Sequence, residues 1–208
     1  MSKRGHFEET GILPEGYRQL EYIESTGTQY IDTGVSCTPS LRVVIDIAWT
    51  QIASNLSNGV QDWNIGIIFR IDQFPLPNGV YAYYGNHSGT FQAPSGIGGD
   101  NLFHHIDYEN GKQSVDGVTF SHLTMTNSSN KSFFLFAVNS VNSQVTFKSK
   151  QKLSKCEMLF NGSHIRLLKP ALRISDNKPG LYDLCGSICP LTGTPFYINS
   201  GTGEFLYN

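Results

Sequence analysis

The sequence contains few charged residues and no long apolar run. Lysine, arginine, aspartate and glutamate make up 15% of the 208 residues, and the net charge is −2. A chain with so little positive charge lacks the basic surface on which nucleic-acid binding depends. No apolar stretch approaches the roughly 18 residues of a membrane span, and residues 1–13 contain no apolar signal region. The sequence therefore predicts a protein that is made in a cytoplasm, binds no nucleic acid and has no membrane span.

Cysteine is also scarce, with four residues in the chain. These cysteines are Cys37, Cys156, Cys185 and Cys189. They are predicted to be buried free thiols, because disulfides are rare in reducing compartments. Cys185 and Cys189 have three residues between them, but no second cysteine pair lies at zinc-ligand spacing. The cysteine pattern therefore predicts no zinc site.

Histidine and aspartate form no metal-binding pattern either. His104 and His105 are adjacent, so on a strand they would point to opposite faces and could not chelate one ion. Calcium sites use carboxylate and carbonyl oxygens, often from loops. Three aspartates could supply such oxygens, namely Asp62, Asp72 and Asp100, but nothing in the sequence pairs them. We therefore predict no metal site, and the sequence implies no cofactor.

Aromatic residues and glycine are abundant, and their distribution predicts β-strands. Aromatic residues make up 12% of the chain, which also has 21 glycines. Apolar residues alternate with the other residues along Leu41–Trp49 and along Trp63–Ile71, as in strands with one buried face. Ser132–Val138 is apolar on both faces, which predicts a central strand covered on both sides. Two long strands of this kind are what a two-sheet sandwich requires.

Turn and helix signals complete the pattern. Asn110–Gly111 and Asp116–Gly117 predict tight turns between strands. One short helix is predicted, either near Ser54–Asn58 or near Gln151–Lys155. Asn86–Asn101 is rich in glycine and predicts a long loop, which in a compact domain is commonly functional or mobile.

Two motifs near the ends of the chain resemble a known module. Residues 13–34 read LPEGYRQLEYIESTGTQYIDTG, and the chain closes with GLYDL at 180–184 and SGTGEF at 200–205. This pairing resembles the lamin-G/concanavalin A-like jelly-roll module of tailed-bacteriophage virion proteins. VDG at 115–117 and FLFA at 134–137 resemble its middle region. An Arg-Asp-Phe segment usual in the family is absent before GLYDL, which leaves the fold intact but weakens the transfer of surface function.

The resemblance implies a fold, a function and a location. It implies an all-β, two-sheet antiparallel jelly-roll sandwich over residues 14–208, with the opening and closing motifs side by side. It also implies a non-enzymatic virion structural protein, such as a capsid decoration, head-fibre or tail-associated subunit. Its expected partners are other virion proteins and copies of itself, for example in a trimer. The protein would be made in the host bacterial cytoplasm and reside in the virion.

Residues 1–13 differ from the rest of the chain because they are charged and have no periodicity. They are predicted to be either a disordered tail or an extended arm that becomes ordered against a neighbouring subunit. In the second case Arg4, His6 and Phe7 are the residues expected to contact the neighbour.

Two alternatives to a structural role involve carbohydrate. Asp107 and Glu109 are a carboxylate pair at i, i+2 and could share one face of a strand, as in a glycoside hydrolase. They precede the Asn110–Gly111 turn, however, where charges are commonly only solvated. The sequence contains no G-x-S-x-G nucleophile motif. We therefore predict that the chain is not an enzyme.

The other alternative is a glycan-binding module that adheres to the host surface. Sugar sites stack rings on exposed aromatic residues and bind hydroxyl groups with polar side chains. The residues that fit this description lie at the mouth of the glycine-rich loop: Tyr81, Tyr83, Tyr84, Asn86 and His87. The same residues could instead form core or a protein interface, which is the interpretation that the sequence favours, and the glycan site stays open as the alternative.

Overall fold

The chain is built from strands throughout the part that the structure describes. The structure, a computed structural model, describes residues 12–51, 56–62, 65–72, 79–84, 91–92, 99–121, 124–146 and 148–208. Within these residues the chain forms 19 strands in two sheets and one 3-10 helix at Val141–Ser143. The predictions of an all-β class and of two sheets are confirmed.

The larger sheet has 11 strands, all paired antiparallel. They are β1 (Tyr17–Gln19), β2 (Ile23–Thr26), β4 (Leu41–Trp49), β9 (His104–Glu109), β10 (Lys112–Val115), β11 (Val118–Ser121), β15 (Lys150–Phe160), β16 (Ser163–Arg173), β17 (Lys178–Asp183), β18 (Phe196–Tyr197) and β19 (Leu206–Tyr207). The main order is β11-β10-β9-β4-β15-β16-β17-β18.

The smaller sheet has eight strands. They are β3 (Ile31–Ser36), β5 (Leu56–Asp62), β6 (Ile65–Asp72), β7 (Gly79–Tyr84), β8 (Phe91–Gln92), β12 (Ser132–Leu135), β13 (Val138–Asn139) and β14 (Val145–Thr146). The main order is β14-β13-β5-β6-β7-β8, and β12 pairs with both β3 and β5.

A single hydrophobic cluster joins the two sheets. On β4 the alternate residues from Leu41 to Trp49 are buried, as the period of two predicts. They belong to the same cluster as Ile31, Val60 and Phe133 of the smaller sheet. Burial of so many large apolar side chains, each contributing about 1.5 to 3 kcal/mol, is the main source of stability.

The opening strands enter the larger sheet between two splayed strands. β15 and β16 pair with each other over Cys156–Phe160 and Ser163–Leu168. Beyond that stretch they separate, and β2 pairs with the first residues of β15 while β1 pairs with the last residues of β16. β19, near the end of the chain, then pairs with the other edge of β2. The opening and closing motifs are therefore neighbours, as predicted.

The predicted helix at Gln151–Lys155 is wrong, because these residues lie within β15. β4 pairs with them on one side and β2 pairs with part of them on the other. Their alternating burial places Gln151 and Leu153 in the core, and this tertiary pairing overrides the local helical preference. At the other predicted position, Asn58 lies in β5, and Ser54 lies outside the described residues.

The predicted strand Ser132–Val138 is fully buried from Phe133 onward but is broken into two strands. The break is at Phe136, which has a φ of 66°. β12 runs antiparallel to β5, whereas β13 runs parallel to it, so the chain changes direction at this bend. The apolar pattern indicated burial correctly, but it carried no signal for a left-handed backbone at a phenylalanine.

Two-residue hairpins connect several strands of the larger sheet. Asp116–Gly117 joins β10 to β11, and both residues have positive φ, as a type I′ turn requires. Asn161–Gly162 joins β15 to β16 with the same conformation. The Asp116–Gly117 turn confirms a prediction. The Asn161–Gly162 turn was not predicted, although its Asn-Gly pair is the same kind of turn signal.

Candidate functional site

The predicted glycan or interface residues fall partly within the smaller sheet. Tyr81, Tyr83 and Tyr84 lie on β7, where Tyr81 pairs with Arg70 and Gln92. Asn86 and His87 lie outside the described residues.

The residues of the predicted arm, Arg4, His6 and Phe7, also lie outside the described residues. The assignment of these residues and of the β7 tyrosines therefore stays a prediction.

The carboxylate pair considered for a hydrolase lies on the side of β9 that faces away from the core, and both members form ion pairs. Arg42 contacts Asp107 through two hydrogen bonds, of 2.8 Å from Nε and 2.5 Å from Nη2. The Asp107 hydrogen bond and nearby carboxylates raise the pKa of Arg42, against the effect of its burial. Lys112 Nζ lies 2.9 Å from Glu109. The bidentate bond to Arg42 orients Asp107 as a cross-strand contact.

His104 and His105 point to opposite faces of β9, as predicted. His105 is exposed, and its Nδ1 lies 2.6 Å from Asp46 Oδ1 on β4. His104 is buried, and its ring contacts the carboxylates of both Asp100 and Asp116. Among the described residues no group of three or more His, Cys, Asp or Glu side chains could hold a metal ion.

A partly exposed aromatic pair lies beside the larger sheet, just before β2 and β9. The rings of Tyr22 and Phe103 have centroids 6.2 Å apart, and Phe103 is 39% exposed. Lys152 Nζ lies 4.7 Å from the Tyr22 ring centroid, which is cation–π distance. Leu102, beside Phe103, is 63% exposed. Sequence reasoning missed this surface because Tyr22 and Phe103 are far apart in the sequence, each just before a strand, β2 and β9, that does not pair with the other.

The polar residues of the opening motif form hydrogen bonds within the fold. Gln29 is buried, and its Oε1 accepts a hydrogen bond of 2.8 Å from the backbone N–H of Thr26. Its Nε2 donates a hydrogen bond of 3.0 Å to the carbonyl oxygen of Glu204 in the closing motif. Gln29 therefore closes its own turn and joins the opening motif to the closing motif.

The closing segment forms a matching set of bonds. Asn199 Oδ1 accepts hydrogen bonds from the backbone N–H groups of Tyr30, at 3.1 Å, and Gly201, at 2.7 Å. Thr28 Oγ1 donates to the carbonyl oxygen of Thr202 at 2.9 Å. We call this bonded set, residues 25–30 with 199–206, the terminal clasp. Because the polar groups of the terminal clasp bond to one another, they stabilise the contact between the opening and closing motifs.

A buried carboxylate lies in the GLYDL motif. Asp183 is fully buried, and its Oδ1 accepts hydrogen bonds of 2.9 Å from the backbone N–H groups of Leu167 and Cys185. Arg166 Nε lies 3.7 Å from Asp183 Oδ2. The Arg166 guanidinium also lies 5.7 Å from the Tyr197 ring, and burial raises the pKa of Tyr197 to about 12. The aspartate of the motif thus joins β17 to β16 and to the segment after it.

The four cysteines are free, but only three are buried. Cys185 is partly exposed, so the prediction that all four are buried is wrong for this residue. It lies just beyond the end of β17, where the chain leaves the sheet. Burial, together with the nearby Asp183 carboxylate, raises the pKa of Cys185 to about 11.

We expect Cys185 to react slowly with thiol reagents despite its exposure. At about pH 8 a raised pKa lowers the fraction of reactive thiolate, by about 100-fold relative to an ordinary cysteine. The rate of modification at Cys185, followed by mass spectrometry, should therefore be low in the native chain and rise sharply in denaturant. A Cys185→Ser variant controls for the other three thiols. Equal labelling of Cys185 in the native and denatured chains would contradict the prediction.

Comparison with known proteins adds no family assignment. A scan against protein-family models gives no match to this chain, and a search of curated proteins gives no match either. Within the described residues, the structure contains no helix with the length and apolar character needed to cross a membrane.

Proposed function

We propose that this chain is a non-enzymatic structural subunit of a tailed-bacteriophage virion, folded as a concanavalin A-like jelly-roll sandwich. The observation that supports this most is the terminal clasp, in which the opening and closing motifs bond to each other. These are the two motifs that resemble the virion module, and the larger sheet pairs β2 of the opening motif with β19, which directly follows the closing motif. A fold alone does not determine a function, so the proposed role depends on the surfaces that the chain presents to its partners.

The ion pairs of β9 support a non-enzymatic role. A glycoside hydrolase needs two carboxyl groups that face a cleft, one of them available to donate a proton. Asp107 is bonded to Arg42, and Glu109 is paired with Lys112 beside a tight turn. Both carboxylates are therefore used in cross-strand or hairpin contacts.

The mechanism that we propose is assembly and surface display. The two-sheet body is held by one core and by the terminal clasp, so it can present loops on a stiff frame. Residues 1–13 would act as an arm that docks on a neighbouring copy or on another virion protein. The protein would then reside in the virion after synthesis in the host bacterial cytoplasm.

We expect the purified chain to form a homo-oligomer that dissociates when residues 2–12 are deleted. Light scattering after size-exclusion chromatography measures the mass of each form. Phe7→Ala should weaken the oligomer because Phe7 is the large apolar residue of the arm, and Glu8→Ala is the matched control. Cryo-electron microscopy of the virions should show density for the folded domain on the particle. A monomeric full-length chain that is missing from the particles would refute the proposal.

A glycan-binding module is the second candidate, and one observation favours it. The partly exposed pair of Tyr22 and Phe103 offers an aromatic surface next to the charged Lys152, as sugar-stacking sites do. The tyrosines of β7 stay a predicted second surface. Binding of a monomeric chain to a glycan array, lost in Phe103→Ala but kept in Phe160→Ala, would favour this candidate over assembly. Phe160 is a suitable control because it is similarly exposed, at 43%.

A further inference from the structure

Three asparagine–glycine pairs of the described chain differ in how tightly the asparagine amide is held. In such a pair the backbone nitrogen of the glycine can attack the side-chain amide carbon, and glycine hinders this attack least because it has no β-carbon. The pairs are Asn58–Gly59, Asn110–Gly111 and Asn161–Gly162. A fourth pair begins at Asn78, which lies outside the described residues. Since the dipeptide is the same in each case, the fold determines which pair reacts in the native chain.

The pair on β5 is restrained at both reacting groups. Asn58 is fully buried, and its Oδ1 accepts hydrogen bonds of 2.6 Å from the Phe136 backbone N–H and from Gln151 Nε2. The Gly59 N–H, which contains the attacking nitrogen, donates to the Ala137 carbonyl oxygen at 3.0 Å. The reaction at Asn58 therefore requires that this part of the core open first.

The pair between β9 and β10 is restrained at the side chain. Asn110 Oδ1 accepts a hydrogen bond of 2.7 Å from the Met125 backbone N–H, and Asn110 Nδ2 donates to the Met125 carbonyl oxygen at 3.1 Å. The adjacent Gly111 is also crowded, because a β-carbon there would lie 3.0 Å from Thr124 Cγ2. Both bonds to Met125 must break before the Asn110 amide carbon can turn toward the Gly111 nitrogen.

The pair between β15 and β16 has neither restraint. Asn161 and Gly162 are exposed and have positive φ, of 48° and 78°. Among the described residues, neither the Asn161 side chain nor the Gly162 N–H has a hydrogen-bond partner, and a β-carbon at Gly162 would meet no atom within 4 Å. The Asn161 backbone N–H donates a long bond of 3.4 Å to the Ser40 carbonyl oxygen. This bond leaves the side-chain amide able to turn.

We propose that Asn161 is a site of spontaneous deamidation in the folded chain. The Gly162 nitrogen forms a bond to the Asn161 side-chain carbon, and Nδ2 leaves as ammonia with the proton that the Gly162 nitrogen gives up. Water then breaks one of the two C–N bonds of the resulting succinimide, which yields aspartate or isoaspartate. Either product places a negative charge at the tip of the hairpin. The inference does not depend on the proposed virion role.

The two products should affect the hairpin differently. Aspartate fits the turn, because Asp116–Gly117 forms a two-residue turn of this chain with positive φ at the same two positions. Isoaspartate adds a carbon atom to the main chain, and the register of a hairpin depends on the length of its loop. It should therefore disturb the pairing of Phe160 with Ser163, the pair next to the turn.

Peptide mapping by mass spectrometry measures the reaction at each pair after the full chain is incubated at mildly alkaline pH. We expect Asn161 to deamidate at least about tenfold faster than Asn110, because two hydrogen bonds of ordinary strength must first break at Asn110. Asn58 should be the slowest of the three. In denaturant the three rates should become similar, because the tertiary bonds that distinguish the pairs are then lost.

Variants separate the chemistry from the shape of the turn. Asn161→Gln should abolish the reaction at this position, because its longer side chain would have to close a larger ring, and should leave the rate at Asn110 unchanged. Freshly prepared Asn161→Asp adds the charge without extending the main chain, so its Ser163 amide should exchange as in the unmodified protein. The isoaspartate form, separated by chromatography, should exchange faster there.

Two results would overturn the proposal. One is a native chain in which Asn110 or Asn58 deamidates as fast as Asn161. The other is a native chain in which Asn161 stays intact under conditions that deamidate it in denaturant.

Discussion

Asn58→Ala is expected to lower the free energy of unfolding by about 3 to 5 kcal/mol, since each buried donor left without an acceptor costs about 1 to 3 kcal/mol. Asn58 is fully buried on β5, and its Oδ1 accepts two hydrogen bonds of 2.6 Å, one from the Phe136 backbone N–H and one from Gln151 Nε2. Its Nδ2 donates to Gln151 Oε1 at 3.0 Å. Alanine would leave both donors and the Gln151 acceptor unpaired inside the core.

The loss should be this large because the amide pair joins the two sheets at a bend. Phe136 has a left-handed backbone that costs about 1 kcal/mol or more for a residue other than glycine. Asn58 Oδ1 accepts from the Phe136 backbone N–H, and Ser149 donates to the Phe136 carbonyl oxygen from its backbone N–H at 2.9 Å and from its hydroxyl at 3.3 Å, so these groups stabilise that conformation. Removing Asn58 therefore removes an inter-sheet bond and the support of the bend together.

Chemical denaturation measures the effect, with Asn208→Ala as the matched control. Asn208 also donates from its side chain, to Glu21 at 2.6 Å, but it is exposed, so its loss should cost less than about 0.5 kcal/mol. The double variant with Gln151→Ala should be less destabilised than the sum of the single variants, because the second change removes a donor already unpaired. An Asn58→Ala loss as small as that of Asn208→Ala, or strict additivity, would show that the pair does not join the sheets.

The strands could be predicted from the sequence because their signal is local. On β4, Val43, Ile45 and Ile47 share one face, and the structure buries that face fully, whereas on the other face only Val44 and Ala48 are buried. The Asp116–Gly117 hairpin is likewise encoded in two adjacent residues. In both cases a few neighbouring positions determine the backbone.

The polar contacts of the interior could not be predicted in this way. Asn58 and Gln151 are 93 residues apart, and nothing in either local pattern indicates that they meet. His104 was correctly placed opposite His105, but its contact with Asp116 forms only because a hairpin turn brings Asp116 back to the start of β9. Such contacts depend on how strands are ordered in the sheet, and periodicity determines only which face of a strand is buried.

The glycines of the end motifs could be recognised in the sequence, but the structural reason for them could not. Gly180 of GLYDL lies against the neighbouring strand, where a β-carbon would collide with the carbonyl oxygen of Tyr197. Gly201 of SGTGEF lies against the opening turn, where a β-carbon would collide with the carbonyl oxygen of Thr28. Each glycine allows two backbones to approach closely, which is a tertiary requirement that a turn signal does not express.

Gly201→Ala should accordingly be among the most damaging single changes, with an expected loss of about 3 kcal/mol in the free energy of unfolding, since a methyl group forced against backbone cannot be relieved by a side-chain rotation. Gly201 also donates its backbone N–H to Asn199 Oδ1 at 2.7 Å, so moving its backbone would weaken the bond from Asn199 to Tyr30 as well. The clasp would open, and β19 would lose its alignment with β2. Amide exchange of Leu206 and Tyr207 should therefore increase together with the loss of stability.

Gly186→Ala is the control that separates steric collision from glycine substitution in general. Gly186 has a φ of 73°, so alanine is strained there, but a β-carbon would meet no atom within 4 Å. The expected loss is about 1 kcal/mol, the usual cost of a left-handed backbone for a residue with a β-carbon. If Gly201→Ala cost no more than this, or left exchange at Leu206 unchanged, the clasp would not be what holds the two ends together. A larger loss with faster exchange confined to β2 and β19 would show that the end motifs stabilise the module by bonding to each other.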